Sequence, residues 1–145
     1  MSNEADDLRS KREAIIRAHE EAENRGDVEA TLATFGARPR YDVVPGGIFD
    51  GAEAVGELLR GIFGAMPDFH ARTLRLHHAD DAVIIESHTT GTHTGNEWFG
   101  IPAAGHRMDM RAVSIYEFEG DRLVCEKLFF DGLALQQQLL GETGA

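Results

Sequence analysis

Residues 108–130 read MDMRAVSIYEFEGDRLVCEKLFF, and this stretch decides the fold. Met108 to Phe118 alternates apolar and polar side chains, though not strictly, and Arg122 to Phe130 is a second apolar run. Glu119-Gly120-Asp121 between them is a turn too short for a crossover, so the pair predicts an antiparallel hairpin. Upstream, Ala82 to Thr92 is rich in β-branched residues, His70 to His77 alternates, and Ala79-Asp80-Asp81 joins them as another turn. Gly91 to Gly105 is the one extended irregular segment, punctuated by Gly95, Gly100 and Pro102.

Before Phe69 the period changes. Glu4 to Arg25 reads as a long helix with Leu8, Ile15, Ala18 and Ala22 near one face, stopped at Asn24-Arg25-Gly26. Asp27 is placed to cap a short second helix carrying Val28, Leu32 and Phe35, broken by Gly36 to Pro39. Tyr41 to Val44 is a short strand candidate ended by Pro45-Gly46-Gly47. Asp50-Gly51 opens a third helix with Val55, Leu58, Leu59, Ile62, Phe63 and Met66 apolar, and Leu133 to Leu140 closes the chain as a short helix. Helices followed by a run of hairpins is an α+β layout, expected as one domain over residues 1–145 with an apolar pocket between sheet and helices.

Composition narrows the function. The 145 residues carry 25 Asp and Glu against 14 Lys and Arg, a formal net charge of −11. That balance argues against nucleic acid and anionic membranes as partners. Cys125 is the only cysteine, so no intramolecular disulfide and no cysteine-based metal cluster can form. Met1 to Asp7 lacks the basic, then apolar, pattern of a secretion signal, and no run of 18 apolar residues occurs; a cytoplasmic protein is the expectation.

Among chemistry-bearing residues, Asp131 follows an apolar strand and two Phe residues, surroundings that would desolvate a carboxylate and fit it for proton transfer. The competing reading is that Asp131 caps the terminal helix. Glu86 and His88, two apart on a strand, share a face, and Lys127 could be their partner; an outward polar row is the alternative. Seven histidines invite a metal, but there is no His-Glu-x-x-His pattern and no facial-triad spacing, so no metal site is expected. No phosphate-binding glycine loop and no nucleophile elbow is present. Cys125 reads as core or wall.

Gly91-Thr92-His93-Thr94-Gly95, Phe99-Gly100-Ile101-Pro102-Ala103-Ala104-Gly105-His106-Arg107 and Phe118-Glu119-Gly120-Asp121-Arg122, leading to Phe129-Phe130-Asp131, form an ordered set. With Asn24-Arg25-Gly26-Asp27 and Met66-Pro67-Asp68-Phe69, they resemble the SnoaL-like polyketide cyclase family of the nuclear transport factor 2-like superfamily. The resemblance implies a cone-shaped α+β barrel, with three helices packed on a strongly curved, mostly antiparallel sheet around a deep apolar cavity, in a homodimer. It implies cofactor-free chemistry on a hydrophobic, carbonyl-bearing small molecule, with Asp131 as general acid/base. In that picture Glu86, His88 and Lys127 orient or polarise the substrate, while Phe63, Trp98, Phe99 and Tyr41 line or cover the pocket. Relatives often carry an aromatic residue at Lys127 and an Arg or apolar residue at Glu86. An ionic pocket would instead favour water activation on the same fold, and a non-catalytic binding module is the further alternative.

Overall fold

The computed structural model describes residues 3–36 and 38–142; Met1 and Ser2 of the N-terminal stretch, Ala37 of the expected helix break and residues 143–145 lie outside them. In chain order the elements are α1 (Glu4–Asn24), α2 (Val28–Leu32), β1 (Arg40–Val44), β2 (Gly47–Asp50), α3 (Ala52–Ala65), β3 (His70–His78), β4 (Ala82–Thr92), β5 (Arg107–Glu119), β6 (Arg122–Phe130) and α4 (Gly132–Leu139). Local chemistry sets their ends. The Asn3 side chain accepts from the Asp6 N–H at 2.8 Å, and Glu4, Asp6 and Asp7 place negative charge at the positive end of the α1 dipole. Asp27 caps α2 by accepting from the Ala30 N–H at 3.0 Å.

The buried row of α1 is Arg12, Ile16, His19 and Ala22, a helical spacing of which half is polar. Ala18, expected on that row, is exposed. Arg12 is accommodated because its guanidinium donates to the Gly120 carbonyl at 2.9 Å and the Asp80 carbonyl at 3.0 Å, with its plane 5.3 Å from the Phe118 ring centre.

The strands form one mixed sheet in the order β2-β1-β6-β5-β4-β3. All pairings are antiparallel except β1 with β6, which sets Tyr41 opposite Glu126 and Val43 opposite Leu128. β2 and β3 are its two edges, so the sheet is open and does not close into a barrel. The short strand β2, Gly47-Ile48-Phe49-Asp50, was not expected: four residues flanked by glycines leave no alternation to read. Helix α1 lies against β3 and β6, α3 against β1 and β2, and α4 against β5.

Two apolar clusters fill the space between the layers. One holds Ile16, Phe35, Val55, Leu59, Val83, Phe118 and Leu123; the other holds Ala65, Met66, Met108, Met110, Leu135 and Leu139. The cavity described next takes wall residues from both.

Candidate functional site

A strand buries alternate side chains, so parity decides what reaches the interior. The inward residues are Ile85, Ser87 and Thr89 on β4, Ser114 and Tyr116 on β5, Glu126, Leu128 and Phe130 on β6, and Tyr41 and Val43 on β1. With Glu20 and Glu23 of α1 and Leu58 and Ile62 of α3, they enclose a cavity of about 110 Å³. Trp98 and Phe99 cover one side, their rings 4.8 Å apart. The loop carrying them is pinned to the end of α3. Gly95 N–H donates to the Ala65 carbonyl and Asn96 N–H to the Gly64 carbonyl, each at 3.0 Å. A Cβ at Gly95 would lie 1.8 Å from the Gly64 oxygen, so only glycine allows that approach. His93, fully buried, donates from Nε2 to the Asn96 carbonyl 2.7 Å away and stiffens the same loop.

The apolar walls end in a polar group at α1. His19 Nδ1 stands 2.7 Å from Thr34 Oγ1, and the Thr34 hydroxyl hydrogen is committed to the Thr31 carbonyl at 2.6 Å. Thr34 must therefore accept from Nδ1–H, which leaves Nε2 facing the cavity side. There it meets Glu126 Oε1 at 3.0 Å, Tyr41 Oη at 2.8 Å and Glu23 Oε1 at 3.7 Å. Tyr41 donates to Glu23 Oε2 at 3.2 Å, and Ser114 donates to Glu126 Oε2 at 2.9 Å. The His19 ring is wedged edge-on between Phe35 and Tyr116, each 5.6 Å away, which fixes its plane.

Electrostatics follow from this packing. Burial alone would lower the His19 pKa, but the carboxylates of Glu23, Glu126 and Glu20 more than offset it and hold the value above normal. Burial pushes the Glu23 carboxyl up, with Glu126 adding to the effect against the opposing pull of His19 and the Tyr41 hydrogen bond, and it titrates at about 7. Burial and the nearby carboxylates raise Tyr41 and Tyr116 well above the usual phenol value, so both hydroxyls stay protonated. The arrangement is a linear path, Glu126 to His19 to Tyr41 to Glu23, opening on an apolar cavity at a carboxyl that both holds and releases protons near neutrality. His19, Glu23 and Glu126 are also the trio of ligating side chains, among the described residues, with donor atoms within 4.8 Å of one another. A cation could enter there only by displacing the proton on Nε2.

A family model for SnoaL-like polyketide cyclases matches residues 13–139. The chain belongs to that family. Among solved structures it superposes on a SnoaL-like protein from Jannaschia sp. CCS1, itself assigned as a polyketide cyclase by inference, with TM-score 0.81, 14% identity and 94% of each chain covered. A protein from Acidithiobacillus ferrooxidans, likewise assigned as a polyketide cyclase, gives TM-score 0.70 and 26% identity over 99% of each chain. AclR from Streptomyces galilaeus, assigned as a hydroxylase by inference, gives TM-score 0.78 and 18% identity over 94% of this chain and 85% of AclR. No curated protein sequence matches the chain. The fold is thus the nuclear transport factor 2-like fold of SnoaL-like proteins.

Within this SnoaL-like frame, several residues singled out from the sequence fall away from the cavity. Asp131 is exposed and caps α4, its Oδ1 accepting from the Ala134 N–H at 3.0 Å. The strand ends there, and the free N–H groups of the new helix claim the carboxylate. Glu86, His88 and Lys127 have the outward parity. Glu86 faces His77 at 3.3 Å and Arg75 at 3.9 Å, His88 pairs with Asp109 at 2.6 Å, and Lys127 with Glu117 at 3.5 Å. Phe63 packs in the core, edge-on to Phe69, without lining the cavity. Tyr41, Trp98 and Phe99 do line it. Cys125 is buried mid-strand with its thiol pushed up to about 11 by burial, which leaves it a poor nucleophile. The sequence reading missed His19, Glu23, Ser114 and Glu126. The available signal was the i, i+4 pair His19 and Glu23, and a glutamate two residues before Leu128 on an otherwise apolar strand.

Proposed function

We propose that the protein is a SnoaL-like enzyme that moves protons on a hydrophobic, carbonyl-bearing small molecule, with Glu23 as general acid/base. What supports the reading is one observation: a carboxyl of near-neutral pKa facing an apolar cavity, backed by a hydrogen-bonded tyrosine and imidazolium. In its ionised form Glu23 takes a proton from the carbon beside the carbonyl. As Glu23 takes up the proton, the Tyr41 hydroxyl turns its single hydrogen from Glu23 to the oxygen that gains charge, and the His19 imidazolium behind it supplies positive field. Glu126 and Ser114 hold the imidazolium and act as positioning residues. Protonated Glu23 then returns the proton to carbon or to a new hydroxyl. The base, Glu23, and the hydrogen-bond donor, Tyr41, are both side chains, so the step requires no cofactor.

An apolar cavity of about 150 Å³ accepts one benzene ring, so about 110 Å³ takes the ketone end of a longer molecule whose ring stays at Phe99. Phenylacetone is a suitable probe. Its exchange of α-hydrogen for deuterium, followed by NMR, falls about 10²-fold or more in Glu23→Gln if Glu23 is the base. The Asp131→Asn variant exchanges at the wild-type rate. Undiminished exchange in Glu23→Gln defeats the proposal.

Because the polar end is charged, water activation is the second reading; it predicts labelled solvent oxygen in the diol formed from styrene oxide. The homodimer belongs to the same proposal, with the exposed Val113 and Phe129 on the outer sheet face as the surface that pairing would cover. Sedimentation at two concentrations tests it.

A further inference from the structure

The cavity walls have a one-sided charge. Glu20, Glu23 and Glu126 all reach it, and among the described residues that line it there is no Lys or Arg. The one cationic group at that end, His19, lies fully buried and already faces Glu126 at 3.0 Å. Arg12, two turns earlier on the same helix, is turned away toward the carbonyls of Gly120 and Asp80. Glu20 is the carboxylate the proton path leaves unused. Both its oxygens are held in place by Thr73, through the backbone N–H at 3.1 Å and through the hydroxyl, so its carboxylate is fixed beside β3. It stands one turn from Glu23 on the same face of α1. Tyr41 and Tyr116 stand beside these acids, and Phe69, Phe130 and the Trp98–Phe99 pair add further aromatic wall.

Excess carboxylate at one end of an apolar, aromatic-lined chamber is the environment that a cation with an apolar body satisfies. Such a cation gains the carboxylates without full hydration and gains the ring faces besides. An anion there meets two or three like charges in a medium of low dielectric. We infer that the molecule this pocket takes is positively charged at one end, a protonated or quaternary amine on an apolar frame. The inference deepens the proposed function by naming the substrate class, and it rests on the same cavity being the substrate site. The raised pKa of Glu23 agrees with it: an arriving ammonium places positive charge beside the carboxyl and drives the proton off.

Three probes of one shape isolate the charge: choline, the neutral 3,3-dimethylbutan-1-ol and the anionic 3,3-dimethylbutanoate. Trp98 is the only tryptophan in the chain and lines the cavity, so its fluorescence reports occupancy of the wall it covers. At pH 8 and low salt, choline should bind at least tenfold more tightly than the alcohol, and the carboxylate more weakly than either. Glu20→Gln should reduce choline's advantage several-fold and leave binding of the alcohol unchanged, which also shows the variant is folded. Equal binding of choline and the alcohol, tighter binding of the carboxylate, or binding of none of the three overturns the inference. Deuterium exchange on uncharged phenylacetone is a separate reading, so the proton-transfer proposal stands or falls independently.

Discussion

Replacing Glu126 by Gln tests whether the buried polar group is held together by charge. Glu126 is 4% exposed and His19 0%, with 3.0 Å between Oε1 and Nε2. Removing one partner of a buried ion pair costs about 3–5 kcal/mol, because the other charge is left without compensation. Two features reduce that figure. Glu23 remains 3.7 Å from the same nitrogen, and glutamine keeps an oxygen able to accept from Ser114. A loss of about 2–4 kcal/mol at pH 6 is therefore expected, equivalent to roughly 6–12 °C in Tm for a domain of this size. The loss has a pH signature. His19 has its pKa raised in the folded state, so the stability it contributes is full below its unfolded value of 6.5 and fades as pH rises through the folded value. The difference between wild type and variant in urea unfolding should be largest near pH 6 and shrink by pH 9. Identical midpoints for the two proteins at pH 6 would refute the ion-pair account.

Glu23 titrates at about 7 against an ordinary 4.5, so the folded protein binds the extra proton and stability falls as pH rises from about 4.5 to 7. His19 adds to the slope in the same direction, and Glu23→Gln should flatten the unfolding-midpoint profile over that range. Asp131→Ala removes a helix cap and should cost about 0.5–2 kcal/mol in urea unfolding while phenylacetone exchange stays at the wild-type rate. Gly95→Ala forces a Cβ onto the Gly64 carbonyl and should lift the covering loop, seen as a red shift of Trp98 emission.

The fold was legible because the signals that fix it are local. The period-two runs ending at Thr92 and Phe130 and the turns at Ala79-Asp80-Asp81 and Glu119-Gly120-Asp121 determine the hairpins without knowledge of distant contacts. β2 escaped because four residues beside glycines carry no period. The site was obscured for a different reason. On β6, Glu126 and Lys127 are adjacent charges in an apolar run, and only sheet position tells which turns inward. Pairing of β6 with β1 on one side and β5 on the other makes 126 the interior residue. The same parity sends Glu86 and His88 outward. On α1 an apolar-stripe reading selects Ala18, although the packed row runs through Arg12 and His19, whose partners Gly120, Thr34 and Glu126 lie 15 or more residues away. Asp131 looked catalytic for its apolar neighbours, yet Phe130 turns into the cavity while Asp131 begins a helix.

The central claim is that Glu23 is a carboxyl tuned to neutral pH inside the cavity. A carbon-13 NMR titration of the glutamate side-chain carboxyls, with Glu23 assigned by the signal lost in Glu23→Gln, measures it directly. The Glu23 signal should show an inflection at about 7. An inflection at or below 4.5, the ordinary glutamate value, would contradict it.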